Sequence, residues 1–106
     1  MQYVRVATIN DFARKNTKSL TLLGKKVALI RRADGTFLAT EIGCKHQGAD
    51  LSLGKIDGMV VTCPLHGWRY DLESGKCLNH SSPDLRRYGV RFEGADIYVS
   101  LLPLSF

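Results

Sequence analysis

Long apolar runs are absent from this chain of 106 residues. The longest, Val27-Ala28-Leu29-Ile30 and Met59-Val60-Val61, fall far short of the roughly 20 residues that a membrane-crossing helix needs. The opening segment MQYVRVATINDF lacks the basic-then-apolar pattern of a secretion signal, and neither a repeat nor a low-complexity stretch occurs. These absences set the expectation of a soluble cytoplasmic protein with no membrane partner. Cysteine is scarce and odd in number: of three, Cys44 and Cys63 sit beside histidines in two loops, and Cys77 lies outside both loops. That pattern argues against a disulfide framework and for metal ligation in a reducing compartment. The length suits one domain, residues 1–106, with one core.

Acidic residues are nearly missing from the first third of the chain. Residues 1–32 hold eight of the fifteen Lys and Arg and only Asp11, a net of +7, whereas the rest carries a net of −2. The overall +5 is therefore an N-terminal property. It is spread over strand and turn positions without interleaved aromatics, so a solvated face accounts for it; no nucleic-acid partner is expected.

Helix signals are equally sparse. One candidate remains, Ile9–Arg14, a turn or two capped by Asn10 or Asp11. Strand signals recur instead. KVALIRR and TFLATEI flank the turn Ala33-Asp34-Gly35, MVVT leads into Cys63, and RYDL and KCLN flank Glu73-Ser74-Gly75. RRYGVRF and DIYVSLL form a last hairpin around Glu93-Gly94-Ala95, with Tyr88, Val90 and Phe92 on one face. Short strands with Gly-rich turns predict an all-β protein, an antiparallel sandwich or small barrel.

Two clusters of chemistry fall in loops between these strands: Cys44-Lys45-His46 and Cys63-Pro64-Leu65-His66. Thiolates with imidazoles select zinc, copper or iron-sulfur over calcium or magnesium. Two Cys and two His satisfy one tetrahedral zinc, or two irons bridged by two sulfides. Ligand number alone leaves both open.

The surroundings point further. Cys-x-His, sixteen residues, then Cys-Pro-Leu-His-Gly-Trp resembles the Rieske iron-sulfur motif. The likeness spans nearly the whole chain, through "LATEIGC", "HQGADLSLG", "VTCPLHGWRYDLESGK" and "YGVRFEGADIYVSL". A zinc module of this spacing would not call for Gly48, Pro64 and Gly67. The resemblance implies a Rieske domain, with an antiparallel base and a smaller lobe carrying loops at about 43–50 and 63–70. It implies one 2Fe-2S cluster, with Cys44 and Cys63 on the inner iron and His46 and His66 on the outer one. Neutral imidazoles leave the oxidised cluster less negative than four thiolates do, which makes it easier to reduce.

The resemblance further implies an electron carrier and not an enzyme: a Rieske-type ferredoxin, similar to the ferredoxin components of ring-hydroxylating dioxygenase systems. Its partners would be an NAD(P)H-linked reductase and a terminal oxygenase or reductase, and the chain itself a monomer. Two alternatives are a small subunit of a nitrite-reductase-like enzyme and a zinc-stabilised binding module. High-potential relatives carry an extra cysteine in each loop, where this chain has Ala49 and Leu65, and a serine where it has Trp68. Fewer donors to sulfur imply a potential in the lower half of the family range, roughly −150 to +50 mV.

Other residues have plainer readings. Cys77 reads as a small core residue and His80 as surface polar. Trp68 and Tyr70 read as shields of the cluster, with the Tyr70 hydroxyl directed toward a cysteine sulfur. Ser82-Pro83 stands where the family runs a covering loop, and Lys45 and Arg69 are solvated or docking charges.

Overall fold

The computed structural model describes residues 2–43, 51, 54–65 and 67–104. Among them are ten strands: β1 (Tyr3–Thr8), β2 (Thr17–Leu22), β3 (Lys25–Arg31), β4 (Phe37–Glu41), β5 (Lys55–Asp57), β6 (Val60–Thr62), β7 (Arg69–Asp71), β8 (Arg87–Tyr88), β9 (Val90–Glu93) and β10 (Asp96–Ser100). They form three antiparallel sheets, ordered β1-β10-β9, β2-β3-β4-β8 and β5-β6-β7. The all-β expectation holds.

Strand β3 organises the interior. Its run Val27-Ala28-Leu29-Ile30 is buried throughout, so it is not an alternating strand with one wet face. Successive side chains point to opposite faces of a strand, and here both faces are covered. Val27 and Leu29 enter one core with Phe12, Tyr88, Ile97 and Val99. Ala28 and Ile30 enter a second with Ile42, Leu51, Val61, Cys63, Tyr70 and Leu72. Strand β4 divides the same way, with Ala39 in the first core and Leu38 in the second. The single core expected from length is thus two cores sharing a wall. The first belongs to a base built from the sheets β1-β10-β9 and β2-β3-β4-β8, the second to a lobe built on β5-β6-β7.

The lobe is an excursion from the middle sheet. The chain leaves that sheet after β4 and returns at β8, and those two strands are neighbours in register, Ala39 against Tyr88 and Thr40 against Arg87. Exit and return are tied together, because the Glu41 N–H donates to the Arg86 carbonyl at 2.8 Å and the Arg86 N–H to the Glu41 carboxylate at 3.0 Å.

Two arginines staple the lobe to the base. Arg32, just past β3, meets Glu73 with two parallel bonds of 2.7 and 2.9 Å. Arg87 in β8 donates through Nη2 to the Leu72 carbonyl at 3.0 Å and also to the Glu73 carbonyl. Hydrogen bonding from the Arg32 guanidinium holds the Glu73 carboxyl below the usual glutamate range. A depressed carboxyl contributes stability above its unfolded value and loses it as pH falls through the folded one. Glu73→Gln should therefore cost a little at neutral pH and nothing under strongly acidic conditions. Because the Glu73 side chain is 43 % exposed, solvent screening keeps the neutral-pH cost to about 0.5–1 kcal/mol. Urea unfolding of both proteins at the two pH values measures it; an equal cost at both would contradict the assignment.

Three local expectations are corrected. The helix candidate is a single 3-10 turn, Ile9–Phe12, capped by Thr8 rather than Asn10 or Asp11; Asp11 instead accepts the Thr8 N–H at 3.0 Å. RRYGVRF is not one strand. Gly89 interrupts it, Tyr88 pairing with β4 and Val90 with β10. Ser100 fixes that break, since its N–H donates to the Gly89 carbonyl and its Oγ accepts the Gly89 N–H, both at 3.0 Å. Phe92 consequently lies 46 % exposed while Tyr88 is buried. KCLN contributes one bridge, Cys77 opposite Tyr70, and no strand.

Candidate metal centre

The second loop grows out of a hairpin. Strand β6 pairs with β7, Val61 opposite Tyr70 and Thr62 opposite Arg69, so residues 63–68 make the connection. Two bonds close it: the Cys63 N–H donates to the Trp68 carbonyl at 2.7 Å, and the Gly67 N–H to the Cys63 carbonyl at 3.1 Å. Gly67 has φ +73°, the left-handed conformation that glycine adopts without steric cost. Cys63 and Gly67 therefore belong to one closed turn. Its two sides differ, with Cys63 only 2 % exposed and Leu65 61 % exposed.

Cys44, Lys45, His46, Gly48, Ala49 and His66 lie outside the described residues, as do most of the first loop's other positions. The ends of that loop are described. Leu51 N–H donates to the Ile42 carbonyl at 2.8 Å, and both residues sit in the lobe core beside Cys63. Gly54 then brings the chain against the strand that delivers Cys63, since a Cβ there would overlap the Thr62 carbonyl oxygen. The segment that contains Cys44 and His46 thus leaves and rejoins the same small core that holds Cys63. A buried thiol on a tight turn, in the core where the described ends of the first loop also lie, suits a thiolate-ligated metal group. Among the described residues no three of His, Cys, Asp and Glu converge, as three of the four candidate ligands fall outside them.

The residues flanking the turn occupy distinct places. Tyr70 is fully buried in the lobe core, with its hydroxyl 3.4 Å from Ser82 Oγ. Trp68 is half-buried against that core, and its indole stacks on the ring of His80, centroids 4.5 Å apart and planes 15° from parallel. His80 is exposed as expected, yet it is not an isolated surface group. Cys77 is half-buried against the lobe core, in keeping with its structural reading. Arg69 is exposed in β7. One residue was missed by sequence reasoning: Asn79, whose side chain bonds the second loop at Gly67 and Arg69. Its only signal is an amide in the polar stretch NHSSPD, which spacing arguments do not distinguish from any loop asparagine.

The described residues thus form a lobe on an antiparallel base, with a buried cysteine opening its Pro-Leu-x-Gly turn. The family model for the Rieske 2Fe-2S domain matches residues 2–91, and the chain belongs to that family. It is similar over nearly its full length to the ferredoxin component of the naphthalene 1,2-dioxygenase system of Pseudomonas putida, at 28% identity over 95% of this chain and 97% of the other. Its structure is similar to the ferredoxin of carbazole 1,9a-dioxygenase from Nocardioides aromaticivorans IC177, with TM-score 0.79 and 27% identity over 94% of this chain and 98% of that one. Other relatives are longer. Cholesterol 7-desaturase nvd of Hemicentrotus pulcherrimus is 30% identical over 73% of this chain, but the match spans just 17% of that protein.

Proposed function

We propose that this chain is a Rieske-type ferredoxin, a one-electron carrier rather than an enzyme. It takes electrons from a nicotinamide-linked reductase and delivers them to a terminal oxygenase or reductase. Residues 1–106 act as a single Rieske domain, and one 2Fe-2S cluster is held by Cys44 and Cys63 on the inner iron and His46 and His66 on the outer. The observation that carries this reading is the end-to-end match to a ferredoxin component, 95% of this chain against 97% of that one.

When bound, the cluster supplies a reversible one-electron change. The protein supplies the enclosure. Cys63, Tyr70 and Leu51 belong to one buried wall, so the inner side of the turn is closed to water. Leu65 and Gly67 are exposed, which leaves the outer side of the same turn open to an approaching protein. Electron transfer needs no substrate pocket, only such an accessible edge.

The test is an absorption spectrum with iron and sulfide analysis on the purified protein, followed by voltammetry at neutral pH. Visible bands with two irons and two sulfides per chain are expected, and a midpoint of roughly −150 to +50 mV. A colourless protein with one zinc per chain would refute the cluster. A midpoint near +300 mV, the top of the family range, would refute the ferredoxin role.

A further inference from the structure

We propose that Asn79 is a positioning residue for the second cluster loop, clamping Gly67 and Arg69 so that the turn beginning at Cys63 is held firm around the cluster. The inference deepens the ferredoxin reading and rests on it. Asn79 Nδ2 donates to the Gly67 carbonyl at 3.0 Å, while its Oδ1 accepts the Arg69 N–H at 2.9 Å and lies 3.8 Å from the Cys77 thiol. Both arms agree on one orientation of the amide. Reversed, an NH2 would face the Arg69 N–H and an oxygen would face the Gly67 carbonyl.

The clamp acts where the turn is weakest. The two bonds that close the turn both run to the backbone of Cys63. Neither restrains the Gly67 carbonyl, and glycine restricts its own backbone less than any other residue. Asn79 provides that restraint from outside. Its neighbours extend the grip. Leu78 N–H donates to the Arg69 carbonyl at 2.7 Å, the His80 ring stacks on Trp68, and Ser82 Oγ lies 3.4 Å from the Tyr70 hydroxyl. The segment 78–82 thus tracks 67–70 side by side, and Asn79 is the member that bonds both flanks of Trp68. Asn79 itself is exposed, so its replacement unpacks no core.

Two variants separate the arms. Asn79→Ala removes both, whereas Asn79→Asp keeps an acceptor for the Arg69 N–H and sets a carboxylate oxygen against the Gly67 carbonyl. Three quantities are measured: decay of visible absorption in an iron chelator well below the melting temperature, hydrogen exchange of the Arg69 amide, and Tm. Both variants should lose the cluster about tenfold faster than the native chain, the scale set by one or two hydrogen bonds. Their Tm should stay within a few degrees of native. The Arg69 amide should exchange faster in Asn79→Ala and remain protected in Asn79→Asp. Cluster loss from Asn79→Asp at the native rate would overturn the proposal, as would losses that merely follow Tm. A native protein devoid of iron and sulfide would refute the ferredoxin reading instead. In that case unchanged Arg69 exchange in Asn79→Ala would still overturn the clamp, and faster exchange would support it.

Discussion

Cys63→Ser should yield a folded protein with no visible absorption and no electron paramagnetic resonance signal after reduction. Cys63 is the described member of the four proposed ligands, and its thiol lies in the lobe core at 2 % exposure. A thiol ionises with a pKa of about 8.5 and binds iron as a soft thiolate. Serine is nearly the same size, but its hydroxyl ionises with far greater difficulty and is a hard oxygen donor. Packing is therefore conserved while ligation is lost. Cys44→Ser should behave alike, and His46→Ala or His66→Ala should abolish the reduced-state signal by stripping the outer iron. The control is Cys77→Ser, which removes the third cysteine at the rim of the same core. It should keep a native spectrum at a modest cost in stability. A native spectrum from Cys63→Ser, or loss of the cluster from Cys77→Ser, would disprove the ligand assignment.

Tyr70→Ala should unfold the protein far more readily than any surface change. The ring is fully buried, central to the lobe core with Val61, Leu72 and Leu51. Truncating a buried aromatic to alanine costs about 3–5 kcal/mol, against a total of roughly 5–15 kcal/mol for a typical domain. Tyr70→Phe separates ring from hydroxyl. It keeps the packing and forfeits the contact with Ser82, a long one at 3.4 Å, so a loss of about 1 kcal/mol or less is expected. Chemical denaturation of the two variants, read by tryptophan fluorescence, measures both. Equal losses would show that the hydroxyl and not the ring supports the lobe.

Much of this architecture is legible in the sequence. The hairpin over Asp34-Gly35, the turn at Gly75 and the strand entering Cys63 announce themselves, because turn chemistry is local and needs no tertiary knowledge. The spacing of Cys44, His46, Cys63 and His66 points to a candidate site because ligand chemistry restricts residue type strongly, and of the four only Cys63 lies among the described residues. What stayed hidden depended on neighbours distant in sequence. Val27–Ile30 reads as an ordinary apolar run, and only the covering of both faces makes it the wall between two cores. Tyr88 and Val90 share a sequence face, but Ser100 pins Gly89 and sends them to different sheets. Asn79 acquires its role from where residues 67–69 lie, which no local pattern encodes.

Because β4 and β8 stand side by side and Glu41 is bonded to Arg86, residues 43–85 behave, for the base, as one long hairpin loop with its ends already joined. The entropy of closing a loop rises slowly with length, by about 0.6 kcal/mol for each doubling. Loop closure therefore tolerates a longer lobe or a different one, provided that it still covers Ala28, Ile30 and Leu38 on the strands beneath it. In engineering terms the base is a socket and the lobe a cassette. Its electrical contacts can be rebuilt for a new partner so long as Arg32 and Arg87 still find the carboxylate and carbonyl of residue 73.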